Sequence, residues 1–295
     1  MKIAVCISGL LKYWDFTAQF FETWNDMFED VEFYFYLCTW KDDNVWVFDG
    51  TGDNSRNAGL TSVDLSQYSF LNDYERIDCD DIEEMTKDWN DGANKKHYFA
   101  KNMSGVFKLL SNQTHQFDSV IWTRNDYLWA RDGLDTVIND TKLLKEDNII
   151  CEGNGHVLDK TDTFLGIEYD YKYTVRDYCF LFHPSLVREF SNMFDVLYVK
   201  NTERVTFSLG SYIRHIRHPE HHQKLKPIFH SYPGLLLRSK SFLDYWSADG
   251  DVNQKFNANI VSKEEISELI DKFGFDWFLT NYRSKKQLIE LKKLL

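Results

Sequence analysis

Residues 2–7, KIAVCI, form an apolar run without the polar alternation of a half-exposed strand. Such a run has to be buried on both faces of its sheet, which requires helices above and below it and favours parallel neighbours. The chain therefore commits at its start to an α/β fold. A second strand is expected at 31–40, VEFYFYLCTW, and between the two Phe16, Phe20, Trp24, Met27 and Phe28 recur at helical spacing. Strand, helix, strand reads as a right-handed parallel unit.

The third run, FDSVIWTRNDYLW from Phe117 to Trp129, is apolar at Val120, Ile121 and Trp122 and then breaks into Thr123-Arg124-Asn125-Asp126. Open α/β sheets bind ligands outside the carboxyl ends of their strands, so position alone makes Arg124 and Asp126 ligand-site candidates. The competing reading is a local ion pair or turn cap, worth about 0–1 kcal/mol if exposed. Ser8-Gly9 closes the first strand, and a strand, glycine turn and helix is how α/β proteins approach phosphate. SGLLK carries neither a P-loop nor GxGxxG, however. Lys12 either reaches a diphosphate or is a solvated lysine, and Thr39 falls at the carboxyl edge of the second strand.

Residues 41–60, rich in Asp, Asn and Gly, read as a long loop. Its acids Asp42, Asp43, Asp49 and Asp53 lack the spacing and the terminal Glu of a calcium-binding EF-hand loop. The acidic stretch 73–91 reads as surface with a short helix near 81–89, and a stronger helix at 97–110 delivers the chain to the third strand. Further strands are expected at 148–151 and 177–182, then a helix opened by Pro184 and another at 203–217. Ser262 with Glu265, and Ser284 with Gln287, are capping-box patterns, and Gly274 is a natural stop, so two short helices should end the chain. The expected organisation is one Rossmann-like domain, mostly parallel with helices on both faces, over 1–245, and a helical extension over 246–295.

With 43 % hydrophobic residues, including 23 Phe, 16 Tyr and 9 Trp, the chain has ample material for a large core. A net charge of −12 argues against general attraction to nucleic acid or anionic membrane. A DNA partner would have to use the late basic cluster Lys224, Lys226, Arg238 and Lys240. The start is too short and strand-like for a signal peptide, no apolar run nears the ~18 residues of a membrane span, and five cysteines without a CxxC pair fit reduced thiols. A cytoplasmic protein is expected. His215, His218, His221 and His222 lie close together, but Pro219 interrupts them and no acid or cysteine stands at ligand spacing, which favours a solvated turn over zinc.

Four segments together, MKIAVCISGLLK, VEFYFYLCTW, KNMSGVFKLLSNQTHQFDSVIWTRNDYLW and RDYCFLFHPSLVREF, resemble GT-A-type glycosyltransferases of a loosely defined bacterial and viral group. The resemblance spans most of residues 1–215. It implies a GT-A-type domain that takes a sugar from a nucleotide-sugar donor, a UDP-sugar first among them, to an acceptor hydroxyl on a glycan, a lipid-linked sugar or a modified nucleobase. Such enzymes usually carry Asp-x-Asp after this strand to hold a divalent metal, where this chain has Arg124-Asn125-Asp126. A Mn or Mg ion would then rest on Asp126 and the late His230, with fewer carboxylates. Otherwise Arg124 replaces part of its charge. His230 could equally be a half-buried residue capping a strand. By the same resemblance Ser8, Gly9, Lys12, Thr39, Arg56, Arg124 and Asp126 serve the donor, with the loop 41–60 closing over it. Asp126 and Asp177 are the catalytic candidates, Asp177 as general base or acceptor anchor; the alternative pairs Asp177 with Arg176. A nucleotidyltransferase, or a non-catalytic nucleotide- or glycan-binding protein of the same fold, are the competing functions.

Overall fold

Strand β1 (Lys2–Ser8) lies between β2 (Glu32–Trp40) and β4 (Ser119–Arg124) and runs parallel to both. The structure, a computed structural model, describes residues 1–11, 13–41, 63–78, 94–152, 160–164, 167–171, 178–195, 225–230, 232, 234–238, 260–283 and 285–294. Beyond β2 the sheet continues into parallel β3 (Leu71–Ile77). Beyond β4 it continues into antiparallel β9 (Cys179–Phe182), then β6 (Asn148–Glu152) and β10 (Lys226–His230), which again run in the direction of β4. Among the described residues this is a mixed α/β, Rossmann-like fold whose seven-stranded sheet has the order β10-β6-β9-β4-β1-β2-β3, with β9 alone reversed.

Alternation along β1 divides the core. Ile3, Val5 and Ile7 pack with residues of α1 (Trp14–Glu22), α2 (Trp24–Met27) and α4 (Arg131–Thr141). Ala4 and Cys6 share the other face with α3 (Asn94–Ser111) and α5 (Val187–Ser191). All five of these β1 side chains are fully buried, as the unalternating run requires. On the first face Trp24 meets Phe33 edge-on at 5.2 Å, a geometry worth about 0.5–1.5 kcal/mol beyond simple burial.

A smaller sheet links the site to the end of the chain. β5 (Tyr127–Trp129) pairs antiparallel with β11 (Gly234–Arg238), which pairs parallel with β12 (Ile260–Ser262). A two-stranded hairpin, β7 (Lys160–Phe164) with β8 (Ile167–Tyr171), completes the described strands. The terminal helices α6 (Lys263–Phe273), α7 (Phe275–Asn281) and α8 (Lys285–Lys292) bury Ile266, Leu269, Phe278, Leu288 and Leu291 against Phe20 of α1 and Leu128 of β5. No helix among the described residues is long and apolar enough to cross a membrane.

Two expectations differ from what is found. The stretch beginning at Asp73 is strand up to Ile77: β3 is the outermost described strand, and main-chain pairing with β2 holds it while its side chains stay largely solvated. Three helices rather than two end the chain, because Gly274, with φ of +91°, ends α6 and α7 starts again at Phe275. Ser262 does cap α6, its Oγ accepting the Glu265 N–H at 3.4 Å. The expected loop at 42–60, the helices at 81–89 and 203–217, the four clustered histidines and the cap at Ser284 lie outside the described residues.

Helix α3 approaches β2 closely at Gly105, where a Cβ would stand 2.5 Å from Cys38 Sγ. Gly105→Ala is therefore expected to destabilise the fold by about 1–3 kcal/mol through overpacking. In a double-mutant cycle measured by urea unfolding, Cys38→Ala should recover part of that loss. Strict additivity would show that this contact does not set the helix position.

Candidate active site

The chain runs outward from β1 through β2 to β3 and then returns to place β4 on the other side of β1. The topological switch point therefore lies between β1 and β4, the place where an open α/β sheet forms its ligand crevice. Register sets Ser8 beside Arg124 at the carboxyl ends of these strands. The sequence run that breaks at Thr123 and the Ser8-Gly9 turn thus meet at one sheet edge.

Each residue of the turn has a defined job. Gly9 has φ of +133°, a conformation that favours glycine. Its N–H donates to Asn102 Oδ1 of α3 at 2.7 Å and to the Cys38 carbonyl at 3.3 Å. That contact fixes which end of the Asn102 amide is oxygen, and among the described residues the buried Nδ2 at the other end has no hydrogen-bond partner. Asn125 is buried and its Nδ2 donates to the Leu10 carbonyl, tying the end of β4 to the turn after β1. Ser8 Oγ accepts from Trp122 Nε1 at 2.9 Å.

Arg124 and Asp126 form a two-pronged ion pair: Nε to Oδ1 at 2.7 Å and one terminal nitrogen to Oδ2 at 2.9 Å. This is the local pair that sequence allowed for, but it is not a surface pair. The side chains are only 22 % and 13 % exposed, and a forked, partly desolvated pair is stronger than an exposed one. The Asp126 carbonyl accepts the Leu237 N–H at 2.8 Å, so β11 holds the turn from the other side. Tyr178 closes the edge: its carbonyl accepts the Arg124 N–H at 3.3 Å.

A second polar group occupies the opposite face of the sheet. Tyr127 hydroxyl lies 3.3 Å from Oε1 of the fully buried Glu152 and donates to the Tyr232 carbonyl at 3.0 Å. Tyr232 hydroxyl donates to Asp140 Oδ2 at 2.8 Å, and His230 Nδ1 meets the same oxygen at 2.7 Å. Burial above all, with Glu152 nearby, pushes the Tyr127 and Cys179 acids well up, and burial with Cys179 and Asp140 does the same for Tyr232.

Of the residues expected at the donor, Ser8, Gly9, Arg124 and Asp126 are brought together. Thr39 is buried on the other face, since its neighbours Cys38 and Trp40 share the α3 side with Cys6 and Trp122. His230 also lies on that other face, a half-buried residue at the end of β10 held by Asp140, and Gly234 after it begins β11. Lys12, Arg56 and Asp177 lie outside the described residues. Sequence reasoning missed Asn102, whose signal was an amide next to Met103 on the buried face of a helix, and Asp140, which lies ninety residues from its His230 partner. A cleft of about 560 Å³ lined by Met27, Arg131, Asp135, Asp276, Leu279 and Arg283 contains none of the expected residues.

The described residues do not fit the divalent-metal site that the resemblance implies. Both carboxylate oxygens of Asp126 are engaged by Arg124, Nδ1 of His230 is engaged by Asp140, and no group of three His, Cys, Asp or Glu among the described residues could hold an ion.

No family model matches this chain, and no curated protein matches it. Solved structures that it is similar to include glycosyltransferases. One is the galactosyltransferase LgtC in complex with donor and acceptor sugar analogues, 15 % identical over 70 % of this chain and 67 % of that one, with a TM-score of 0.34. Another is mouse xyloside xylosyltransferase 1 in its apo form, 8 % identical over 84 % of this chain and 90 % of that one, with a TM-score of 0.36. A third is an active-site mutant of LgtC, 14 % identical, with a TM-score of 0.33.

Two outcomes follow from this geometry. Gly9→Ala should cost about 1–3 kcal/mol by forcing a side chain into a positive-φ conformation. Asn125→Ala should not restore stability in that background, because backbone conformation rather than space is limiting; full rescue in chemical denaturation would refute this. The buried acids give a pH dependence of fixed sign. Unfolding releases their protons once pH passes the ordinary values of 9.0 for the thiol and 10.0 for the phenols, so their contribution is complete below pH 9.0 and is lost as pH rises beyond 10.0. Melting temperature should fall across that window, less steeply in Tyr127→Phe, and a flat profile would contradict it.

Proposed function

We propose that this chain is a nucleotide-sugar-dependent glycosyltransferase that moves a sugar to an acceptor hydroxyl. The observation that carries this is the meeting of the Gly9 turn and the Arg124-Asn125-Asp126 segment at the β1/β4 switch point. A positive-φ turn lets backbone approach an anion closely, and a fixed guanidinium beside it suits a diphosphate.

In the transfer, the bond between the anomeric carbon and the β-phosphate oxygen breaks and its electron pair leaves with the nucleoside diphosphate. The acceptor oxygen bonds to the anomeric carbon and gives up its proton to a base. Arg124 would meet the charge that grows on the diphosphate, which lowers the barrier because a pre-oriented cation needs no reorganisation as the bond breaks. Ser8 and Gly9 would line the phosphate side, with Lys12 and Arg56 adding cations. Asp177 is the proposed base or acceptor anchor: it precedes Tyr178, whose carbonyl is bonded to the Arg124 N–H. Trp122, beneath Ser8 on the same face, would help keep water from the anomeric carbon.

A thermal-shift panel of sugar nucleotides tests this, since a ligand at ~100 times its Kd adds about 2.7 kcal/mol to stability. UDP-sugars are the first donors to try. A response to nucleoside triphosphates and not to sugar nucleotides would point instead to nucleotidyl transfer. Asp126→Ala is expected to abolish release of nucleoside diphosphate while the far-UV circular dichroism stays native. Undiminished turnover in that variant would remove Asp126 from the mechanism.

A further inference from the structure

We propose that the cation meeting the donor diphosphate in this chain is the guanidinium of Arg124, oriented by Asp126, and that binding of the diphosphate needs no divalent metal. This rests on the glycosyltransferase reading and concerns the same site.

The donor set at the switch point is the wrong kind for a metal and the right kind for an anion. A hard divalent cation collects several oxygen ligands around itself. Here the carboxylate at the expected place, Asp126, gives Oδ1 to Arg124 Nε at 2.7 Å and Oδ2 to a terminal nitrogen at 2.9 Å. A metal bound on either oxygen would sit against a guanidinium that keeps its proton at any ordinary pH, and the two positive charges would repel. Ser8 Oγ accepts from Trp122, the Asn125 amide is spent on the Leu10 carbonyl, and no set of three acids, histidines or cysteines converges among the described residues.

The site does offer N–H groups. Arg124 turns Nε and one terminal nitrogen to Asp126, so the carboxylate fixes the direction in which the delocalised cation meets a phosphate. Asn102 Nδ2, in contact with the Gly9 turn through the other end of its amide, is a buried donor with no partner among the described residues. Buried donors are nearly always satisfied, so an exception at a sheet's ligand edge calls for an acceptor that arrives with the ligand. Asp126 acts through Arg124 and is a positioning residue.

The experiment is isothermal titration of the full chain with UDP, GDP, ADP and inorganic pyrophosphate, first in EDTA and then in manganese. At least one nucleoside diphosphate should bind in EDTA with a Kd that manganese leaves unchanged. Arg124→Gln should weaken that binding about 10- to 100-fold, the loss expected for charge-assisted hydrogen bonds, and Arg124→Lys should restore only part of it. Asp126→Asn should raise Kd at temperatures where its melting curve shows it fully folded, which a merely structural role would not do. Binding that appears only with manganese overturns the inference and leaves the glycosyltransferase reading standing. Binding in EDTA that Arg124→Gln does not weaken overturns it equally. If no nucleotide binds in either condition, the reading and the inference fall together.

Discussion

Burial of β1 on both faces is the constraint from which the rest follows. A strand with Ile3 to Ile7 all removed from water can exist only if every backbone group is paired by a strand on each side and every side chain is covered by a helix. That places β1 in the interior of the sheet and carries its carboxyl end to the sheet edge where open α/β folds form their crevice. Ser8 and Gly9 are at that point, and the neighbour that returns across β1 ends in Arg124. The candidate site is therefore a consequence of the core rather than an addition to it.

At this edge the electrostatics are settled locally. A net charge of −12 gives the chain a field that repels phosphate at long range, but salt screens exposed charges beyond about 8 Å at physiological ionic strength. For the proposed phosphate ligand, the deciding charge would be the cation within reach. A guanidinium only 22 % exposed, with its carboxylate partner fixed behind it, has given up much of its hydration already. It loses less on meeting a phosphate than a solvated lysine would, and its direction is set before the ligand arrives.

What the sequence made legible divides along the same physical line. β1, β2 and β4 were readable because both-face burial leaves an unbroken apolar run, and α6 because its capping Ser262 and its Gly274 stop act within a few residues. β3 was read as surface, which its side chains are, but not as a strand, because an edge strand is held by main-chain pairing, which leaves little mark on side-chain type. The faces of the site residues depended on register. Thr39 ends its strand as expected, yet period-two alternation carries it to the side opposite Ser8 and Arg124. The Asp140–His230 contact and the Asn102–Gly9 contact join residues about ninety positions apart, and no local pattern encodes them.

The two faces of the sheet also differ in what they can do. On the face of α3, polar groups reach the edge through a flexible-looking but fully specified turn, in which Gly9, Asn102 and Asn125 each fix another. On the face of α4, Tyr127, Glu152, Asp140, Tyr232 and His230 are tied together under cover, and Tyr127 belongs to the strand that starts one residue after Asp126. Burying two carboxylates and two phenols is costly unless they are hydrogen-bonded to one another, so this network holds its members in place together. Its position fixes β5, and β5 with β11 fixes the backbone of Asp126. The carboxylate that aims Arg124 is thus anchored by a network on the far side of the sheet, which is why a short turn can hold a charged pair at a solvent edge without the long side chains wandering.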